Sequence, residues 1–138
     1  MNSDNAAPDR TAHDLPNDPS RRCRLLIADD EADLRTLVRM IFDDLGWWVD
    51  EAADGCEALR KLQTEVYDLV LLDHRMPYLT GGEVYGALCA KGINIPTVLV
   101  SAAKQVEEIA GRHGIPYLEK PFSIDDLLDV VGEFKTHC

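Results

Sequence analysis

A chain of 138 residues with 46% apolar side chains has the material for one buried core and is too hydrophobic for global disorder. Its net charge of −11 repels phosphate backbones and anionic lipid, which argues against nucleic-acid or membrane binding and favours a partner, or a site, that carries positive charge. No apolar run approaches the roughly 18–20 residues that cross a bilayer, and Met1–Ala7 lacks a basic start followed by an apolar block, so a cytoplasmic location is expected.

Residues 1–22 hold Pro8, Pro16 and Pro19, no aromatic, and Leu15 as the one large branched aliphatic, which predicts a flexible leader ahead of a single domain over 23–138. Arg21-Arg22 reads as a solvated basic pair. Leu25–Ala28 predicts a strand running into Asp29-Asp30. Leu34, Leu37, Val38, Ile41, Phe42 and Leu45 then recur at helical spacing, so Glu31–Leu45 predicts an amphipathic helix ended by Gly46. Trp47–Ala52 is the second predicted strand, and neighbouring Trp47 and Trp48 must point to opposite sides of it. Asp54 is a candidate N-cap for a second helix through Ala58, Leu59 and Leu62. Leu69–Leu72 runs into Asp73, and Gly81-Gly82 leads to a helix carrying Val84, Ala87 and Leu88. Thr97–Val100 runs into Ser101, followed by a helix over Gln105–Arg112. Tyr117–Glu119 runs into Lys120-Pro121. The last helix, Ile124–Lys135, places Ile124, Leu127, Leu128, Val131 and Phe134 on one face, with Ser123 as its N-cap.

Five strand–helix units with short apolar strands imply α/β architecture: a parallel sheet with helices on both faces, doubly wound in the flavodoxin-like order 2-1-3-4-5. In such sheets ligands bind beyond the carboxyl ends of the strands. Asp29-Asp30, Asp73, Ser101 and Lys120 all stand at those ends and converge on one edge. Each has a plainer reading: Asp30 as a helix cap beside an exposed Asp29, Ser101 as a cap, Lys120 as a structural ion pair. Together, three carboxylates in one pocket raise one another's pKa unless a hard cation compensates, and Mg²⁺, which takes few carboxylates and shares a position with a phosphate oxygen, suits them. Asp73 stands at the middle and has the chemistry of a phosphoryl-accepting nucleophile. Lys120 supplies fixed positive charge and Ser101 a hydroxyl.

The set Asp29-Asp30, Asp73-x-x-Met76-Pro77-x-x-x-Gly81, Ser101-Ala102 and Lys120-Pro121-Phe122 resembles the receiver domain of bacterial two-component response regulators, of the single-domain chemotaxis and sporulation-phosphorelay type, over about residues 24–136. The resemblance implies that Asp73 is phosphorylated by a histidine kinase or a histidine phosphotransfer protein. It implies that Asp30, Asp73 and the Arg75 backbone carbonyl hold Mg²⁺, with Asp29 acting through water. It further implies that Lys120 pairs with the phosphoryl group, that Lys120-Pro121 is cis, and that Ser101 and Tyr117 switch a face that binds a downstream protein; Tyr117 also reads as a half-exposed strand aromatic. The expected assembly is a monomer or weak dimer. The domain stands alone in this reading; the alternatives are a receiver segment of a hybrid kinase or transcription factor, or a receiver-shaped scaffold that is not phosphorylated.

Two departures from the family pattern stand out. Arg75 is long and cationic where solvent approaches the phosphoryl, and Ala103 is too small to position a water, so Arg75 is expected to shield the phosphoryl and slow its hydrolysis. The stretch from Ser101 to Lys120 is also a few residues shorter than usual, in the fourth helix. Turnover as an aspartyl-nucleophile phosphatase is disfavoured because Arg75 occupies the place of a second carboxylate. A flavin carrier is disfavoured because Asp29-Asp30-Glu31 repels phosphate where a glycine-rich loop is needed. Cys23, Cys56, Cys89 and Cys138 form no C-x-x-C pair and no zinc site is expected; Cys56 and Cys89 are expected to be small buried hydrophobes and Cys138 open to oxidation.

Overall fold

The computed structural model describes residues 22–132 and Phe134. The expectations for the leader up to Arg21, and for Glu133, Lys135 and Cys138, lie outside the described residues. Five strands, β1 (Arg24–Ala28), β2 (Trp48–Ala52), β3 (Leu69–Asp73), β4 (Thr97–Ala102) and β5 (Tyr117–Lys120), alternate with α1 (Ala32–Asp44), α2 (Gly55–Thr64), α3 (Gly81–Ala90), α4 (Ala103–His113) and α5 (Ile124–Gly132). The strands form one parallel sheet in the order β2-β1-β3-β4-β5, the predicted doubly wound topology. Among the described residues no helix is long and apolar enough to cross a membrane.

Alternate residues of the inner strands feed two cores, as the pleat requires. Leu25, Ile27, Leu69, Leu71, Val98 and Val100 meet Val38 and Phe42 of α1 and Leu127 and Val131 of α5 on one face. Leu26, Val70 and Leu72 meet Ala58 and Leu62 of α2 and Val84 and Leu88 of α3 on the other. A smaller cluster of Leu99, Val106 and Ala110 seats α4. Arg24, at the start of β1, interrupts the apolar pattern yet is buried, with ion pairs to Asp50 at 3.3 Å and Glu65 at 3.2 Å.

Several local expectations need correction. Cys56 and Cys89 are exposed, because each lies beside, rather than on, the stripe that its helix buries through Ala58 and Leu62 or through Val84 and Leu88. Ile124 and Leu128 remain 50% and 37% exposed; α5 covers the sheet only along the Leu127–Val131 line, so its apolar stripe is wider than its contact. Arg22 is exposed, as the solvated reading expects, yet it is also tied down: its Nε donates to Gly46 O at 3.0 Å and its guanidinium lies 4.5 Å over the Trp48 ring. Trp47 turns inward against Phe42 while Trp48 is half-buried on the edge strand, in line with their opposed directions. The fourth helix starts at Ala103, earlier than expected, and no residue separates it from β4, so the economy there lies in the connection.

Candidate functional site

Strand register brings the acidic residues level. Ala28 pairs with Leu72 and Asp73 with Val100, so Asp29 leaves β1 beside Asp73, and Ser101 lies one residue further along β4. β5 delivers Lys120 opposite Ala102, and the Lys120-Pro121 bond is cis, as expected. Carboxylate oxygens of Asp29, Asp30 and Asp73 all lie within 4.8 Å of one another. Lys120 Nζ stands 2.9 Å from Asp29 Oδ2, 3.0 Å from Glu31 Oε1 and 3.5 Å from Asp73 Oδ1. The plain ion-pair expectation for Lys120 and its place in the site therefore coincide, with Asp29 as the closer aspartate.

The simpler readings of the aspartates and the serine do not hold. Glu31, not Asp30, occupies the N-cap of α1 and makes no side-chain cap bond. Asp29 is buried, and its Oδ1 accepts the Glu31 N–H at 2.9 Å. Asp30 is exposed at the pocket mouth and contributes the third carboxylate. Ser101 does not cap α4, whose N-cap is Ala102; its Oγ is enclosed and has no hydrogen-bond partner. A buried hydroxyl without a partner costs about 1–3 kcal/mol. Tyr117 lies on β5, 40% exposed, and Arg75 is exposed just past Asp73.

Charge and burial set the protonation behaviour. Burial, then the neighbouring charge of Asp29, pushes the Asp73 carboxyl up to about 7. Burial also raises the Asp29 carboxyl, against the hydrogen bond from Lys120. Burial alone would lower the Lys120 ammonium, but its bonds to Asp29 and Glu31 and the charge of Asp73 outweigh that and raise it. The donor set fits Mg²⁺ in kind: it is all carboxylate oxygen, gathered within 4.8 Å, and an ion that keeps several of its waters can reach one of the acids through water.

Three contributors escaped sequence reasoning. Glu31, read as the start of the first helix and as one of the acids that repel phosphate, shares the Lys120 ammonium. Arg35 donates through Nη1 to the Asp29 carbonyl at 2.7 Å while its Nε holds Glu51 at 2.9 Å, so it braces the chain behind the pocket. His74 receives two N–H groups of α3, described below. Gly81, already part of the sequence motif, gains its reason here: a Cβ there would strike the Asp73 carbonyl oxygen, so only glycine lets α3 begin against the acid's own backbone.

A doubly wound sheet with three acids and a lysine at the carboxyl ends of its strands defines a signalling receiver rather than a nucleotide or flavin carrier. A profile for the response regulator receiver domain matches residues 25–132, and the chain belongs to that family of two-component signalling domains. It is 30% identical over 114 residues to sporulation initiation phosphotransferase F of Bacillus subtilis, covering 80% of this chain and 92% of that protein. It is 32% identical over 108 residues to the transcriptional regulatory protein DltR of Streptococcus agalactiae, covering 76% of this chain; it spans about half (48%) of the length of that curated relative. Among solved structures, the response regulator TrrA of Thermotoga maritima, in complex with Mg²⁺-BeF, superposes with a TM-score of 0.74 at 32% identity, covering 81% of this chain and 98% of that one.

Proposed function

We propose that this receiver, taken as residues 23–138, accepts a phosphoryl group on Asp73 from the phosphohistidine of a histidine kinase or histidine phosphotransfer protein. An Asp73 carboxylate oxygen forms the new bond to phosphorus as the phosphorus–nitrogen bond breaks. The bonding pair leaves with the donor imidazole nitrogen, which takes up a proton, and Asp73 becomes an aspartyl phosphate. Lys120, 3.5 Å from Asp73 Oδ1, offers charge to the phosphoryl oxygens without first having to move into place. Asp30 and Asp73, the Arg75 carbonyl and, through water, Asp29 are the residues that would hold Mg²⁺. When bound, that ion offsets the mutual repulsion of the acids and of the arriving phosphoryl. The Ser101 hydroxyl donates to a phosphoryl oxygen, and Tyr117 on the adjacent strand responds, altering a face that binds a downstream protein. Arg75 shields the phosphoryl from water. The chain thus assists only its own phosphorylation and dephosphorylation, in the cytoplasm, as a monomer or weak dimer.

The observation that carries this reading is the meeting of Asp73, buried and flanked by two acids, with the Lys120 ammonium at a single point. Incubation with phosphoramidate and Mg²⁺, intact-mass measurement and peptide mapping test it. One phosphoryl on Asp73, lost in Asp73→Asn, is expected; an unmodified wild type, or label elsewhere, rejects it. The length of the DltR relative favours a second reading, a receiver segment of a longer transcription factor or hybrid kinase, in which the acceptor chemistry is unchanged.

A further inference from the structure

Helix α3 begins beside Asp73, and its first four backbone N–H groups all find partners. Two belong to a capping box: Thr80 N donates to Glu83 Oε1 at 2.9 Å and Glu83 N to Thr80 Oγ1 at 3.1 Å. The other two go to one residue. Gly81 N donates to the His74 carbonyl at 2.9 Å, and Gly82 N to His74 Nδ1 at 3.2 Å. An imidazole whose Nδ1 accepts carries its proton on Nε2 and is neutral. The backbone N–H of His74 donates in turn to Val100 O at 2.9 Å. One residue, directly after Asp73, therefore ties together the ends of β3 and β4 and the start of α3. There is little slack: a Cβ on Gly82 would stand 3.3 Å from His74 Cε1 and 3.4 Å from Ile109 Cγ2 of α4.

We propose that His74 is a positioning residue for phosphoryl acceptance: its imidazole is a clasp, carried on the end of β3, that holds the N-terminus of α3 and so fixes the Asp73 backbone relative to Lys120. The proposal rests on the reading of Asp73 as acceptor. The imidazole takes no part as a base, because the nitrogen that could act as one is engaged by Gly82. Without the acceptor nitrogen, Gly82 N–H loses its partner and α3 is free to shift against the Asp73 carbonyl that Gly81 abuts. Reactions that depend on alignment lose rate steeply with such displacements.

The test is the rate of phosphoramidate labelling with saturating Mg²⁺ in wild type, His74→Leu and His74→Asn. Leucine fills the space without an acceptor, whereas the asparagine Oδ1 replaces Nδ1 as partner for Gly82. Labelling about tenfold slower in His74→Leu, the effect of about one hydrogen bond, with a rate within about threefold of wild type in His74→Asn, is expected. Wild-type speed in His74→Leu, or an equal loss in both variants, overturns the proposal. Should His74→Leu not fold, Gly82→Ala takes its place, since its Cβ crowds the ring; labelling at the wild-type rate then overturns the clasp. A wild type that takes no label rejects the acceptor reading instead, so the two failures are distinct.

Discussion

Replacing Asp73 by asparagine should stabilise the metal-free protein, by an amount that grows as pH rises from about 4 to about 7. The buried carboxyl of Asp73 is raised from 3.8 to about 7, first by loss of hydration and then by the charge of Asp29. An acid whose pKa is raised on folding keeps its proton longer in the folded state than in the unfolded one. Between about pH 4 and pH 7 the folded chain therefore binds the extra proton, and stability falls as pH rises through that window. At 1.36 kcal/mol per pKa unit, the interval from 3.8 to about 7 corresponds to about 4 kcal/mol above pH 7. Water entering the pocket and rearrangement of Lys120 reduce this to about 2 kcal/mol in practice. Asparagine keeps the shape and removes the charge. Urea denaturation with EDTA should place Asp73→Asn about 2 kcal/mol above wild type at pH 8 and level with it only near pH 3.5, below the unfolded-state value of 3.8. Added Mg²⁺ should narrow the gap at pH 8, since a ligand of the folded wild type stabilises it. A variant no more stable than wild type at pH 8, or a gap of equal size at both pH values, refutes the reasoning.

Lys120→Met should cost about 1–3 kcal/mol in urea melts at neutral pH, because it strips the ammonium that Asp29, Glu31 and Asp73 share; unchanged stability would mean that the acids are adequately screened by water. Tyr78→Gly should raise stability by about 1 kcal/mol: Tyr78 holds φ 74 while 80% exposed, where Gly46, Gly92 and Gly114 occupy the other positive-φ positions among the described residues, and a loss of stability would contradict this. Arg75→Ala should shorten the half-life of the aspartyl phosphate, followed by release of inorganic phosphate; an unchanged or longer half-life rejects shielding.

The strand ends were legible because each is a short apolar run stopped by a single polar group, and a parallel sheet must gather such ends on one side. Asp29, Asp73, Ser101 and Lys120 could therefore be assembled before any coordinates. What could not be read was how far each helix covers the sheet. Cys56, Cys89, Ile124 and Leu128 lie at the margins of their apolar stripes, where burial depends on the neighbouring helix rather than on local pattern. The bracing contacts were equally invisible. Arg35 acts on a backbone carbonyl and His74 on backbone N–H groups, and such partners leave no trace in side-chain spacing. Glu31 is the intermediate case: its charge was noted, but its reach to Lys120 depends on the entry angle of α1.

Both tryptophans of the chain sit at β2, on the border of the sheet furthest from β5, and at the amino end of that strand rather than its carboxyl end. Indole emission will consequently follow the unfolding of the α1–β2 corner and stay nearly blind to ion or phosphoryl arrival. An optical titration of those events calls for a dye or a fluorinated tyrosine placed at Tyr78 or Tyr117 instead.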